Sequence, residues 1–437
     1  MSADSSAAVP HVQSTLAKIS VCRTAALGSK LYGCRSCGEV KRVHHSCGDR
    51  HCPQCRGASR VNWVDSAATW VLPNMDYYQV VFTIPDCLSS LTLGNRRVMF
   101  DLLFRSAWSS LKKTVEDEQQ FEAAAAMVLH TWNQKLDAHV HVHAVVPGGG
   151  PSLQKENAWK SAEPPPGREY HDFWLVDADT LRTEFRKQFL RGLKRLHQRG
   201  QLKLDGQWSD LRDADAFESW LSPLETIDWV AYIQPPPTGS SQPFDVVKYL
   251  ARYLTGGPIS DYRITNYDGH NVTFTARSGT VHGGSDETEA VELPAVEFIR
   301  RWCLHILPKG YTKSRRFGGL SNQHSKRYLN QCRKLLDDAS GKETVDLSDT
   351  DQGQLPGTNS DPPEQCCHHC GSPLHLMHTA NRTSWRDIFH GSLRPAWYAP
   401  PSGYARVLAA RANLRRSTHD SVSDHGYNPS VAANHRG

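Results

Sequence analysis

Three histidines alternate in Asp137-Ala138-His139-Val140-His141-Val142-His143-Ala144. In a β-strand alternate side chains share a face, so the three imidazoles point one way. Imidazoles two residues apart on a rigid strand can offer nitrogens to one metal ion. A polar strand face that is merely rich in His is the plainer alternative, and strict alternation over three positions argues against it. Further along, Lys248-Tyr249-Leu250-Ala251-Arg252-Tyr253-Leu254 sets two tyrosines four residues apart. On a helix they stand one above the other, beside an apolar rail of Leu250 and Leu254. Core packing alone explains such a pair. Combined with the His strand, it suggests a metal that polarises a phosphodiester and phenolic oxygens that attack it. A phosphotyrosine ester conserves bond energy, so a break made this way can be resealed without ATP.

Twelve cysteines are present, six of them between Cys22 and Cys55 and three between Cys366 and Cys370. The N-terminus, Met1 to Ala17, has no basic start followed by an apolar stretch, so it does not read as a secretory signal. In such a chain Cys clusters read as metal sites rather than disulfides. Cys34-Arg-Ser-Cys37 and Cys52-Pro-Gln-Cys55 form two Cys-x-x-Cys pairs separated by fourteen residues. Four thiolates in that pattern can close a tetrahedron on one zinc. Cys22, Cys47, His44, His45 and His51 lie nearby, enough for a second site or a different ligand choice. Cys367-x-x-Cys370 with His375-x-x-His378 is a weaker metal pattern, because the His pair is closer than zinc fingers normally allow. A His-rich polar tail explains it equally well.

The elements that must position these residues follow from periodicity and punctuation. Tyr77–Ile84 reads as a strand ended by Pro85. Leu91–Lys113 reads mostly as helix, and so does Ala58–Val71. Ala124–Trp132 and His139–Val146 read as two strands of an antiparallel hairpin. Leu181–Gln198 reads as a helix with Phe185, Phe189, Leu193 and Leu196 on its core face. Trp229–Ile233 and Val272–Ala276 read as strands, and Asp245–Leu254 as helix. The expected fold class is α+β. The expected organisation is a flexible leader (1–20), a zinc module with a linking helix (21–72), and a main domain (73–335) interrupted by an insertion at about 151–228. An acidic linker (336–365) and a small Cys/His tail (366–437) complete it.

Length gives a soft prior of about three domains. The chain is 39% hydrophobic and 22% charged, which excludes wholesale disorder. No apolar run approaches the roughly 18 residues of a membrane span, so a soluble, cytoplasmic protein is expected. The net charge of +5 hides its placement. Phe298–Leu336 holds ten Lys or Arg and no acid, whereas Asp337–Gln365 holds eight acids and one Lys. Such segregation suggests a polyanion-binding face followed by a solvated linker. The candidate DNA contacts are Arg300, Arg301, Lys309, Lys313, Arg315, Arg316, Lys326 and Arg327.

At this point the sequence resembles the rolling-circle, two-tyrosine HUH transposases of the IS-ninety-one type of bacterial insertion sequence. The likeness spans about residues 20–335. It is carried by Ser46-Cys47, Arg50-His51-Cys52-Pro53-Gln54-Cys55, Val81-Phe82-Thr83-Ile84-Pro85 and Leu129-His130-Thr131-Trp132. It continues through His139 to His143 into Pro147-Gly148-Gly149-Gly150. Tyr249-Leu250-Ala251-Arg252-Tyr253, His305-Ile306-Leu307-Pro308 and Phe317-Gly318-Gly319-Leu320 complete it. The resemblance implies the HUH-endonuclease antiparallel sheet with flanking helices, plus a small N-terminal zinc module. It implies that His141 and His143 hold Mg2+ or Mn2+, with His139 a candidate third ligand, and that Tyr249 and Tyr253 are the nucleophiles. Family members often have Pro where Val140 stands, and a basic run where Leu254-Thr255-Gly256-Gly257-Pro258 stands.

The implied activity is nicking and rejoining of single-stranded DNA at insertion-sequence ends through 5′-phosphotyrosine intermediates, with structural Zn2+ in the Cys module. A replication initiator or relaxase would share the nicking chemistry, but the chain lacks a helicase-type phosphate loop. A zinc-dependent DNA-binding regulator would leave the tyrosines without purpose. A cupin-like metal oxygenase would leave the basic block without one.

Overall fold

The computed structural model describes residues 10–55, 63–64, 66–67, 69–73, 75–167, 174–236, 251, 257–277, 287–339 and 366–390. The chain divides into two units, residues 1–15 with 46–366 and residues 16–45 with 367–437. In chain order the strands are β1 (Ser29–Cys34), β2 (Val40–His44), β3 (Tyr77–Thr83), β4 (Ala124–Trp132), β5 (Ala138–Pro147), β6 (Gly149–Pro151) and β7 (Trp159–Ser161). They continue as β8 (Val230–Gln234), β9 (Ile264–Tyr267), β10 (Asn271–Arg277), β11 (Thr288–Pro294), β12 (Ser314–Gly318) and β13 (Leu374–Thr379).

The first unit is built on a five-stranded sheet in the order β12-β4-β5-β3-β8, antiparallel throughout. Helices pack against it, and the fold is α+β as the sequence predicts. Strand β5 is central because both its faces have work to do. Val140, Val142, Ala144 and Val146 enter the main core with Val80 and Phe82 of β3 and Met127 and Leu129 of β4. Helices Arg96–Gln119 and Ala178–Gln198 cover that face. The second helix supplies Phe185, Phe189, Leu193 and Leu196 at helical spacing, all buried. Its Asp177 cap accepts the Thr180 N–H at 2.8 Å. Burying one Phe contributes about 1.5–3 kcal/mol, so a helix expected inside an insertion is a principal wall of the core.

The opposite face of the sheet is divided. At one end Ala124, Ala126, Val128 and Val145 meet Trp70, Val71, Leu72, Leu320 and helix Ser325–Ala339 in a second apolar cluster. At the other end the same face carries His130, His141 and His143.

The hairpin that presents these histidines is fixed at its turn. Asn133 Oδ1 accepts from the Lys135 and Asp137 N–H groups at 2.9 and 2.8 Å. His305, fully buried, donates from Nε2 to the Leu136 carbonyl at 3.0 Å, and its Nδ1 lies 3.1 Å from the Thr131 hydroxyl. A three-stranded sheet, β9-β10-β11, follows β8 and leads into helix Ala295–Leu304.

The second unit holds a three-stranded sheet in the order β13-β1-β2. Several expectations change. The leader carries a helix, Pro10–Ser20, with Val12 and Ala17 buried. The long helix is split at Asn95, whose side chain bonds the Leu91 and Lys203 carbonyls. Edge strand β12 lies in the basic segment, where periodicity gave no strand. The helix expected over Asp245–Leu254 falls outside the described residues except for Ala251.

Burial pushes the His305 pKa down to about 4, so the folded state holds this imidazole neutral. A depressed folded pKa means the unfolded chain takes up the proton first. The stability contributed by His305 is therefore fully present above about pH 6.5 and is lost as pH falls through about 4. We expect His305→Ala to cost about 2–4 kcal/mol at pH 7, through two lost hydrogen bonds and a cavity. That gap should narrow at pH 4.5 in urea unfolding. A gap independent of pH would show that the buried ring is not neutral.

Candidate active site and thiol clusters

Strands β4 and β5 bring three imidazoles together. His130 stands directly opposite His141 in the ladder, and His143 is two residues further along β5. Their ligand nitrogens all lie within 4.8 Å of one another. The β4–β5 register shifts between His130 and Trp132, a bulge of the kind that re-aims side chains. His141 and His130 are buried, and His143 is half-buried.

Hydrogen bonds orient the rings. His141 donates from Nδ1 to the His139 carbonyl at 2.9 Å, which leaves a lone pair on Nε2. Gln79 Nε2 lies 3.3 Å from His143 Nδ1, and Gln79 Oε1 is buried with no partner among the described residues. Metal binding through His143 Nε2 requires the tautomer with the ring proton on Nδ1, which the Gln79 oxygen accepts once the amide is turned. The His143 Nε2 lone pair then faces that of His141 at 3.1 Å. Burial, with the charges of its neighbouring histidines, holds His141 well below the usual His range. Burial and nearby Lys313 bring His143 down to about 4. Both rings are thus neutral and able to bind a metal at neutral pH.

Two ligands at about 2.1 Å from an octahedral ion stand about 3.0 Å apart when adjacent. The 3.1 Å separation of the two Nε2 atoms fits that geometry. A set of imidazoles suits first-row transition ions better than Mg2+. His139, expected as a third candidate, is not among the converging nitrogens. Its Nδ1 lies 3.5 Å from Asp86 Oδ1 at the outer end of the strand. The third converging nitrogen is that of His130, one strand over. Tyr249 and Tyr253 lie outside the described residues.

The basic segment is brought together only in part. Arg301 pairs with Asp137 at 2.6 Å and with Glu297 at 2.7 Å, and Arg300 pairs with Glu297 at 2.6 Å. Arg315 pairs with Asp101 at 2.5 Å and covers the rings of Phe104 and Tyr311. Arg301 and Arg315 hold the fold, because Asp137 and Asp101 reach them from other elements, whereas Glu297 pairs with Arg300 within their own helix. Lys309, Arg316, Lys326 and Arg327 are exposed. Lys313 lies 5.1 Å over the Trp132 ring, near enough to His141 and His143 to lower both pKa values.

The thiols also group differently from expectation. Cys34 and Cys37 belong to the second unit and meet Cys367 and Cys370 there. Cys52 and Cys55 belong to the first unit and meet Cys47, with Cys47 Sγ 3.5 Å from Cys55 Sγ. Cys22 is buried and belongs to the second unit. The pairs Cys34/Cys37 and Cys52/Cys55 therefore do not form one four-thiol set. His51 is no thiol partner either. Its Nδ1 lies 3.0 Å from Asp49 Oδ1, and its Nε2 accepts the Leu307 N–H at 3.2 Å. Neighbouring Arg50 donates to the Tyr311 carbonyl at 2.5 Å. The Arg50-His51 pair thus docks the Cys47–Cys55 loop onto the 307–311 turn.

Comparison with known proteins agrees with this architecture. Residues 125–327 match a family model described as "Putative transposase", and residues 2–84 match one described as "Transposase zinc-binding domain". The chain is 33% identical over 320 residues to "Putative transposase y4qJ" of Sinorhizobium fredii, covering 73% of this chain and 76% of that one. It is 28% identical over 332 residues to the "Transposase for insertion sequence element IS801" of Pseudomonas savastanoi pv. phaseolicola, covering 74% and 73%. No solved structure matches. These matches define an enzyme acting on DNA. The chain belongs to the IS91-type transposases, which carry an N-terminal zinc-binding domain. DNA is its partner, and its thiol clusters are consistent with structural zinc. Among the described residues no helix is long and apolar enough to cross a membrane.

The imidazole geometry makes a direct prediction for Mn2+ binding followed by electron paramagnetic resonance. Joint replacement His141→Ala/His143→Ala should abolish it, and His130→Ala should weaken it at least about tenfold. His139→Ala should change it far less. Equal losses from His139→Ala and His130→Ala would overturn the assignment of the third ligand.

Proposed function

We propose that this transposase nicks and rejoins single-stranded DNA at insertion-sequence ends through 5′-phosphotyrosine intermediates, acting in the bacterial cytoplasm. The observation that carries the reading is the convergence of the His130 nitrogen on β4 with the neutral His141 and His143 of the central strand. These residues would hold a divalent ion, Mn2+ in preference to Mg2+, which when bound supplies positive charge at the scissile phosphate.

The remaining chemistry belongs to the chain. Tyr249 and Tyr253 follow β8, which pairs with β3, itself the neighbour of β5. One phenol loses its proton and its oxygen bonds to phosphorus. The bond from phosphorus to the 3′ oxygen breaks, and that oxygen leaves as a 3′-hydroxyl. The 5′ end stays on the tyrosine as a phosphate ester. In the return step a 3′-hydroxyl attacks that ester, the phosphorus–phenol bond breaks, and the tyrosine regains its proton. The second tyrosine allows a second strand to be held while the first is transferred. In this scheme Lys313, beside the imidazoles, meets a backbone phosphate, with Lys309, Arg316, Lys326 and Arg327 extending the contact. Arg301 and Arg315 contribute by holding the hairpin and β12.

Incubation with labelled single-stranded DNA and Mn2+ should yield a denaturation-resistant protein–DNA adduct. EDTA and the joint change Tyr249→Phe/Tyr253→Phe should abolish it, while DNA binding persists. Specific binding with no adduct would instead support a non-catalytic regulator. Two basic residues should also behave differently. Lys313→Ala should weaken binding of all single strands and lower the salt slope by about 0.7. Arg315→Ala should lower the melting temperature, and an unchanged melting temperature would remove it from the fold.

A further inference from the structure

Two thiol pairs far apart in the chain share one backbone design. The Cys34 N–H donates to the Glu39 carbonyl at 2.8 Å, and the Gly38 N–H donates to the Cys34 carbonyl at 3.0 Å. The Cys367 N–H donates to the Ser372 carbonyl at 2.8 Å, and the Gly371 N–H donates to the Cys367 carbonyl at 2.8 Å. Counted from the first Cys, the two turns make the same bonds. Gly38 and Gly371 each have φ of 74°, a left-handed conformation that favours glycine. Both segments therefore read Cys-x-x-Cys-Gly for the same reason: the turn aims two sulfurs at one point.

The two turns face each other. Cys34 Sγ is 3.4 Å from Cys370 Sγ, Cys37 Sγ is 3.6 Å from Cys367 Sγ, and all four sulfurs lie within 4.8 Å of one another. These separations are far outside the roughly 2.05 Å of a disulfide. They are close to the edge of about 3.8 Å in a tetrahedron with Zn–S bonds of about 2.3 Å. The carboxy-terminal half is held to its partner by a sheet. Strand β13 pairs with β1 from Leu374 opposite Cys34 to Thr379 opposite Lys30. Just beyond it, His45 Nε2 donates to the Ala380 carbonyl at 3.0 Å.

We propose that Cys34, Cys37, Cys367 and Cys370 bind one zinc ion as four thiolates, so that a segment near the carboxy terminus completes the zinc-binding module. The region matched by the zinc-binding family ends at residue 84, so half of this ligand set lies beyond it. Each thiol gives up a proton on binding, which makes the site sensitive to acid and to chelators.

The test counts zinc per full-length chain by elemental mass spectrometry after gel filtration. Cys367→Ser/Cys370→Ser should remove one zinc, and Cys34→Ser/Cys37→Ser should remove one. All four changes together should still remove only one. Full zinc retention by Cys367→Ser/Cys370→Ser would overturn the proposal, as would loss of two by the fourfold variant. A conservative arm guards against misfolding. With Co2+ in place of zinc, Cys370→His should keep the stoichiometry and move the ligand-field bands to shorter wavelength. An unchanged spectrum would show that Cys370 is no ligand.

Discussion

Two imidazole Nε2 atoms stand 3.1 Å apart, a separation that calls for a shared proton or one cation between them. That constraint organises the first unit. The His139 carbonyl and Gln79 fix the ring orientations from below, and burial keeps protons off the rings. The arrangement needs a strand that cannot slide. A one-residue slip of β5 would exchange the histidines for valines. The main core prevents it, because a slip would drive the histidines into the apolar cluster that holds Val140, Val142, Ala144 and Val146. Val140 is fully buried in that core.

The basic segment illustrates a different principle. Charge read along the chain is not charge read in space. Phe298–Leu336 contains no acid, yet Asp137, Asp101 and Glu297 neutralise three of its arginines. Hydrogen bonds from Arg300 and Arg301 hold the Glu297 carboxyl down to about 2. The segment thus clamps the His hairpin from outside with some residues and leaves others for solvent or nucleic acid.

Much of the site could be read from sequence. The hairpin of Ala124–Trp132 and His139–Val146 needed only period-two patterning and a polar turn, and the observed strands agree within a residue. His130 was within reach of the same reasoning. A turn at Asn133–Asp137 sets residue 130 opposite residue 141, and directly opposed side chains touch. Alternation drew attention to His139 instead, since spacing along one strand is visible and pairing across two must be inferred. The thiol grouping was hidden for a related reason. Cys34 and Cys370 are separated by 336 positions, and no local rule favours that partner over Cys52. Strand β12 was missed because its Arg-rich sequence lacks the usual strand composition. It forms at the sheet edge, where charged residues are tolerated.

Strand β1 is the middle member of the β13-β1-β2 sheet. During synthesis its hairpin with β2 emerges first, with one edge unpaired, and that edge stays open until residue 379 has left the ribosome. The segment made earliest is therefore among the last to be finished. A copy of the gene cut short before that point yields a chain whose amino-terminal module lacks its third strand, whatever the state of the His hairpin.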